Sequence, residues 1–496
     1  MVLNTSRSVF IFTTLCLATL ASADLKSDLS GAGIKAALPG DSEYDAARAI
    51  YNTRITYSPA AFAFPNTPED VSKIIQIGVA NNLTVTPKSG GHSFIANSLG
   101  GKDGALVVDL SNMKKLSVDS SSNIATIETG NRLGNVALGL NDAGRALPHG
   151  ACPMVGIGGH SAFGGWGLTS RMWGFTLDTI KAANVVLANG TIARVSNDNN
   201  PDLFWAIRGA APSFAITTSL EFETLPAPQH ALIFSYTWSF NGEAAGQALL
   251  DFQSYALDTP DLPAELGILL TCTRSNVTGE ISFNIAGGWY DEPSKLDSAL
   301  KPFFDKLPAP VASELRGNGT WIDSVEETAA IAGDSLDDIN RPDVQEIFYS
   351  KSLLTPQGEP MTQAATSSLM NYLSNEGSRS NVTWIIQALM LGGHNSKTNA
   401  IPLSATSFVR RDSLFTWDFR VVRLNQSTLA EGLAFSDGSY NSVVGSMPSD
   451  WDYNAYANYI DDREADWQKR YFGSNYDRLR SIKTEVDPNN LFHFFS

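Results

Sequence analysis

The sequence predicts an α+β fold of two packed units, and three observations carry that expectation. Between residues 57 and 228 short β-rich runs alternate with helical stretches. Pro226 and Pro228 then punctuate the chain. Beyond them the strands lengthen, alternate in polarity and are separated by helical segments, the pattern of an antiparallel sheet with helices on one face. A length of 496 residues leaves room for two or three units.

In the first unit, 61–64 reads as a strand. Thr67 to Ala80 reads as a helix, because Thr67 is an N-cap residue and Pro68 follows it. Strands at 83–87, 105–109, 124–129, 183–187 and 192–196 continue the series, with an amphipathic helix over 131–144. In the second unit, 231–239, 267–272, 280–289, 384–391 and 414–422 read as strands, and 244–255, 295–307 and 360–374 as the helices that cover them. The aromatic-rich remainder ends in a helix over 476–486, closed by Asp487-Pro488. The division expected is a leader over 1–23, an N-terminal segment over 24–56, units over 57–228 and 229–430, and a terminal segment over 431–496 that packs back on the first unit.

The leader reads as a secretory signal: Arg7 in a short polar start, a mostly apolar run over 9–20, and the small-residue site Ala21-Ser22-Ala23. That run is too short to span a bilayer, so a secreted product with no membrane span is expected. Lys and Arg number 35 against 51 Asp and Glu, a net charge of −16, and the leader removes only Arg7 among the charged residues. A field of that sign argues against nucleic acid, anionic membranes and polyanionic substrates. Asn82, Asn189, Asn276, Asn318, Asn381 and Asn425 each open a glycosylation sequon. Cys16 leaves with the leader, so Cys152 and Cys272 remain, either as a disulfide or as two thiols with separate roles.

His92 and Cys152 each sit in a glycine-rich segment, Ser89-Gly90-Gly91-His92-Ser93 and His149-Gly150-Ala151-Cys152-Pro153-Met154-Val155-Gly156. Glycine there allows backbone to approach a ligand with no Cβ in the way. Singly, such a His is a turn or core residue and such a Cys a small buried hydrophobe. Their joint occurrence, followed by Gly158-Gly159-His160-Ser161-Ala162-Phe163-Gly164-Gly165-Trp166-Gly167, points to two anchors for one ring system. A nicotinamide-type dinucleotide motif is the competing reading, and the spacing in Gly156-Ile157-Gly158-Gly159-His160-Ser161 breaks it.

These segments, with Asn200-Pro201-Asp202-Leu203-Phe204-Trp205, Tyr456-Ala457-Asn458-Tyr459 and Tyr471-Phe472-Gly473, resemble the FAD-linked oxidases that include berberine bridge enzyme and the fungal oligosaccharide oxidases. That family is a branch of the vanillyl-alcohol oxidase type fold, and the likeness runs from about Tyr57 to the C-terminus. It implies a two-part FAD-binding domain and a substrate domain. It implies that His92 bonds the flavin 8α carbon and Cys152 flavin C6, with an imidazole and a thiolate as apt nucleophiles for an electron-poor ring. Ser89, Gly90, Gly91, Ser93, Gly156, Gly158, Gly159, His160, Gly164 and Gly165 would wrap the cofactor, with Ile216 and Asn458 as further contacts. Val155 falls where the family controls oxygen access, and a valine there resembles oxidases.

By the same resemblance Tyr456 accepts the proton of the reacting hydroxyl while the carbon gives hydride to the flavin. Phe94, Tyr349, Trp384 and Gln387 would lie on the substrate side, and no metal is implied. One departure stands out: Leu389 occupies the position of the aspartate that assists the tyrosine in the carbohydrate branch. The leading expectation is an oxidase of the anomeric hydroxyl of a mono- or oligosaccharide, giving a lactone and, with oxygen as acceptor, peroxide. The alternatives are oxidation of a specialised metabolite, a dehydrogenase using another acceptor, and a glycan-binding scaffold without turnover.

Overall fold

The computed structural model describes residues 24–331, 333–337 and 339–493, without the side chains of 317 and 318; the expected leader lies outside the described residues. The first unit holds two main sheets and a two-stranded pair, Arg145–Ala146 with Leu225–Pro226. One is four-stranded, in the order Lys35–Ala37, Ala61–Phe64, Leu106–Asp109, Val85–Lys88, with an antiparallel first pair and parallel pairs thereafter. Helix Pro68–Ala80 makes the crossover. Thr67 Oγ1 accepts the Asp70 N–H, Glu69 and Asp70 sit in the first turn, and Val71, Ile74, Ile75 and Gly78 face inward at helical spacing. Gly78 is needed there, since a Cβ would lie 2.5 Å from Val85 Cγ2.

The other sheet is antiparallel and five-stranded: Leu116–Asp119, Ile124–Glu128, Ile216–Glu223, Ile180–Val186, Ile192–Ser196. Its central strand, Ile216–Glu223, was not anticipated from the sequence. Helix Leu133–Asn141 is shorter than the 131–144 expected, because Asn131 O is taken by the Ile157 N–H of the glycine loop.

The second unit is one antiparallel sheet of seven strands, ordered Ala312–Gly319, Ala231–Asn241, Glu280–Trp289, Leu266–Arg274, Thr383–Met390, Ser413–Val422, Tyr349–Pro356. Helices Gly242–Asp258, Gln363–Arg379 and Leu429–Val444 cover one face. Toward them point Phe234, Trp238, Ile268, Leu270, Cys272, Phe283, Ile386, Trp417 and Phe419, which form one apolar core. The opposite face meets the first unit: Leu354, Leu389, Leu391 and Val422 share a cluster with Phe94, Phe163 and Tyr456. The terminal segment therefore differs from the expectation. Its helix Leu429–Val444 buries Phe435, Tyr440 and Val443 against the large sheet, and the chain joins the first unit's cluster only from Ala455 onward.

Arg171, fully buried in the short helix Ser170–Trp173, stitches the two units. Its guanidinium donates to the carbonyls of Gly392, Pro263, Leu266 and His394 at 2.5–3.1 Å. Among the described residues no helix is long and apolar enough to cross a membrane.

Candidate active site

His92 and Cys152 come from different loops, yet Cys152 Sγ lies 3.9 Å from His92 Nε2. Two glycines make the approach possible: a Cβ on Gly90 would stand 2.3 Å from Gly156 N, and one on Gly156 2.2 Å from Gly90 N. Ser89 Oγ, donating to Thr129 O at 2.5 Å, ties the first loop down, and Tyr51 stacks on the imidazole with centroids 4.0 Å apart. Ser93 Oγ accepts the N–H of Asn97 at 3.1 Å and so holds the turn after His92. Burial disfavours the imidazolium, but hydrogen bonds to Asp343 and Cys152 outweigh it and raise His92 to about 9. Among the described residues both cysteines, Cys152 and Cys272, are free; Cys272 points into the helix-covered core, which removes the disulfide between them. A part-buried imidazole and thiol this close, backed by glycine, fit a ring with two neighbouring electron-poor carbons.

Tyr456 sits deep between the units, 2% exposed. Its hydroxyl oxygen accepts the Gly165 N–H and an Asn458 Nδ2–H, each at 2.9 Å. Gly164 and Gly165 allow this, since their φ values are +127° and +81° and a Cβ on Gly164 would lie 2.9 Å from Tyr456 Cε2. Asn458 also donates to His160 O at 3.0 Å. The His160 ring accepts the Gly150 N–H at 3.2 Å, and burial, then the neighbouring His149, holds it neutral with a pKa near 3. His160 thus braces one glycine loop against the other. Burial pushes the Tyr456 hydroxyl up to about 12, while the bonds from Asn458, Gly165 and Trp166 pull the other way. Residues 157–162 form a short helix, so Gly158 is packed near Thr129 whereas Gly159 is open. Val155 is half-buried against the same cluster as Tyr456.

The face of the large sheet that meets the first unit carries a polar row. Thr237, Asn284, Thr271, Gln387, Asp418 and Ser352 pair in register across six adjacent strands. Asn284 Nδ2 donates to Thr237 Oγ1 at 2.9 Å and Gln387 Nε2 to Thr271 Oγ1 at 3.1 Å. Asp418 is buried, paired with Arg420 and Ser350. At the end of the row Ser352 Oγ accepts the Tyr456 backbone N–H at 2.9 Å. Gln387 is therefore on the face of the sheet that meets the first unit.

Three expected site residues are not. Trp384 lies one residue out of phase with Gln387's face; it packs in the helix-side core, its indole N–H on Gly377 O. Tyr349 likewise points to the helices and donates to Asp437 Oδ1 at 3.1 Å. Strand alternation sends both side chains away from the first unit. Ile216 is fully buried beside Val186 and Leu106, so its side chain serves the core. Phe94 stays on the site side as packing, stacked on Tyr459 at 5.2 Å and edge-on to Phe348 at 4.7 Å.

Residues 59–196 match the FAD binding domain family, and 455–495 the berberine and berberine-like family. An FAD-linked oxidoreductase of Metarhizium anisopliae, dpmaF, is 35% identical over 94% of this chain and 89% of its own length. The glucooligosaccharide oxidase of Sarocladium strictum is 33% identical over 91% of this chain and 90% of its own. The chain belongs to the berberine-bridge-like family of FAD-linked oxidoreductases.

The same fold is seen in the solved glucooligosaccharide oxidase of Acremonium strictum, with a TM-score of 0.86 and 31% identity over 94% of the oxidoreductase and 96% of that chain. That enzyme's FAD is a 6-S-cysteinyl, 8α-N1-histidyl adduct. The xylooligosaccharide oxidase of Myceliophthora thermophila, solved with xylobiose, superposes with a TM-score of 0.85 at 31% identity over 94% of this chain and 97% of its own. As a family member the oxidoreductase is FAD-dependent, and His92 and Cys152 are the residues that would hold the cofactor. Sequence reasoning missed Asp343 and Asp334, which face those two anchors from a distant loop. No local motif marks them.

Proposed function

We propose that the oxidoreductase is a secreted oxidase that holds FAD through both His92 and Cys152 and converts the anomeric hydroxyl of a mono- or oligosaccharide to a lactone, with dioxygen as acceptor and peroxide as product. The bound flavin would supply the hydride acceptor. The remaining work falls to the chain. As the phenolate, the Tyr456 oxygen takes the hydroxyl proton, and the Gly165 N–H and Asn458 amide stabilise the negative charge it carries before the transfer. Two covalent bonds suit a cofactor that must not be lost outside the cell, and sequon residues Asn82, Asn189, Asn276, Asn381 and Asn425 are exposed.

The observation that carries the sugar reading is the polar row that runs across the sheet to Tyr456. Alternating hydroxyl and amide groups match the hydroxyls of a polyol, and several relatives are named for oligosaccharides. Anaerobic titration with cello-, xylo-, chito- and malto-oligosaccharides is expected to bleach the flavin band. A panel that leaves the band unchanged overturns the sugar reading.

One observation favours a second reading, an oxidase of a specialised metabolite. Leu389 is 1% exposed on the site-facing side and joins Leu391, Leu354 and Phe163 in an apolar cluster, where a carboxylate is expected for sugar oxidation. Bleaching by an aromatic alcohol but by no sugar would select it.

A further inference from the structure

His92 and Cys152 each face a carboxylate from one loop of the second unit. Asp343 Oδ2 lies 2.8 Å from His92 Nε2, and Asp334 Oδ2 lies 3.8 Å from Cys152 Sγ. The loop is held. Arg132 Nη1 donates to Ile339 O at 2.6 Å and Arg341 O at 2.9 Å, Arg341 pairs with Asp334, and Glu346 exchanges backbone bonds with Tyr51 and Thr53 at 2.9 Å. Asp343 Oδ1 accepts the Val344 N–H at 2.7 Å, while its Oδ2 is buried, has no hydrogen-bond partner and stands at ion-pair distance from the imidazole, a small ring rotation away from accepting its N–H. Tyr51, stacked on the ring, restricts its rotation.

We propose that Asp343 is a positioning residue for cofactor attachment: by holding the Nε2–H of His92 it leaves the lone pair on Nδ1 and selects that nitrogen for the bond to the flavin. This rests on the reading that His92 carries the cofactor. In a neutral imidazole the nitrogen that donates is set by its partner, and the other is the nucleophile. A carboxylate can accept but not donate, so it selects the Nε2–H tautomer. It also receives the proton that the ring must lose when Nδ1 is alkylated.

In attachment one C–H bond of the 8α-methyl breaks, its proton passing to solvent, and the Nδ1–C8α bond forms. Nε2 gives its proton to Asp343. The electron pair stays on the ring as reduced flavin, which takes up protons from solvent and returns two electrons to dioxygen, giving peroxide. Paired with that carboxylate the resting ring carries both protons, so Nδ1 first gives its proton to solvent while Nε2 keeps its own beside Asp343; without the carboxylate the neutral ring would present either nitrogen.

The test uses protein produced with its flavin and a Cys152→Ser background, so that the histidyl bond is the sole tether. Acid-precipitated C152S is expected to give a yellow pellet. The D343N/C152S pellet should lose covalent flavin by about tenfold or more, with the flavin recovered in the supernatant of folded, loaded protein, and D343E/C152S should regain it. NMR of the flavin peptide is expected to show the Nδ1 isomer in wild type and Nε2 isomer in any adduct that D343N still forms. An equally yellow D343N/C152S pellet with the Nδ1 isomer, or an Nε2 bond in wild type, overturns the proposal. A wild-type digest with no flavin mass on the His92 peptide overturns the underlying reading instead.

Discussion

Tyr456→Phe isolates one oxygen atom on which the chemistry is argued to turn. In the folded protein that oxygen accepts the N–H groups of Gly165 and Asn458 at 2.9 Å each, with the Trp166 N–H beside them. Asn458 keeps a second acceptor in His160 O, so the substitution leaves the Gly165 N–H as the buried donor without its partner. A loss of about 1–3 kcal/mol in stability follows, the cost of one unsatisfied buried group. The kinetic effect should be larger. A positioned proton acceptor contributes about 10²–10⁴-fold, so the anaerobic rate of flavin bleaching by substrate should fall by that factor. Because burial lifts the hydroxyl to about 12, it is protonated in the free enzyme at neutral pH, and the wild-type rate should climb with pH. The Phe variant should lose that limb. Stopped-flow absorbance gives both numbers, and a yellow denatured pellet confirms that the cofactor is still attached. A rate lowered by less than about tenfold, with an unchanged pH profile, would place the proton acceptor elsewhere.

Other consequences are open to measurement. Gly165→Ala should abolish flavin reduction and lower the yield of folded protein, since the position has φ +81° and its Cβ would stand 2.5 Å from Thr176 Oγ1; wild-type activity in this variant would dismiss the role given to its N–H. Arg171→Met strands four carbonyls at the junction of the units and should cost about 3 kcal/mol or more, read as a lowered melting temperature. Val155→Ile adds a methylene beside the site and is expected to slow reoxidation by oxygen while leaving anaerobic reduction unchanged; equal slowing of both half-reactions would refute oxygen gating.

Much of the framework was readable in advance because its signals are local. Helix Pro68–Ala80 carries its own cap and proline, strand Glu280–Trp289 its own alternation, and the glycine runs mark where backbones must touch. The positions of Trp384 and Tyr349 were not readable, although alternation on their strands was. Both faces of the large sheet are covered, one by helices and one by the first unit, so polarity does not label the face that serves the site. The strand Ile216–Glu223 was missed for a related reason: its identity as a strand comes from neighbours on both sides, Ile124–Glu128 and Ile180–Val186.

By itself the sequence determined the α+β class, the family and the pairing of a glycine-flanked imidazole with a glycine-flanked thiol, because each is written in contiguous residues. Only the tertiary structure decided that Gly165 and Asn458 converge on the Tyr456 oxygen, that Gln387 rather than Trp384 is on the sheet face toward the first unit, and that Asp343 comes within 2.8 Å of His92. Those are contacts between segments far apart along the chain. Their geometry is set by how two sheets and a loop pack, and no short pattern of residues encodes that packing.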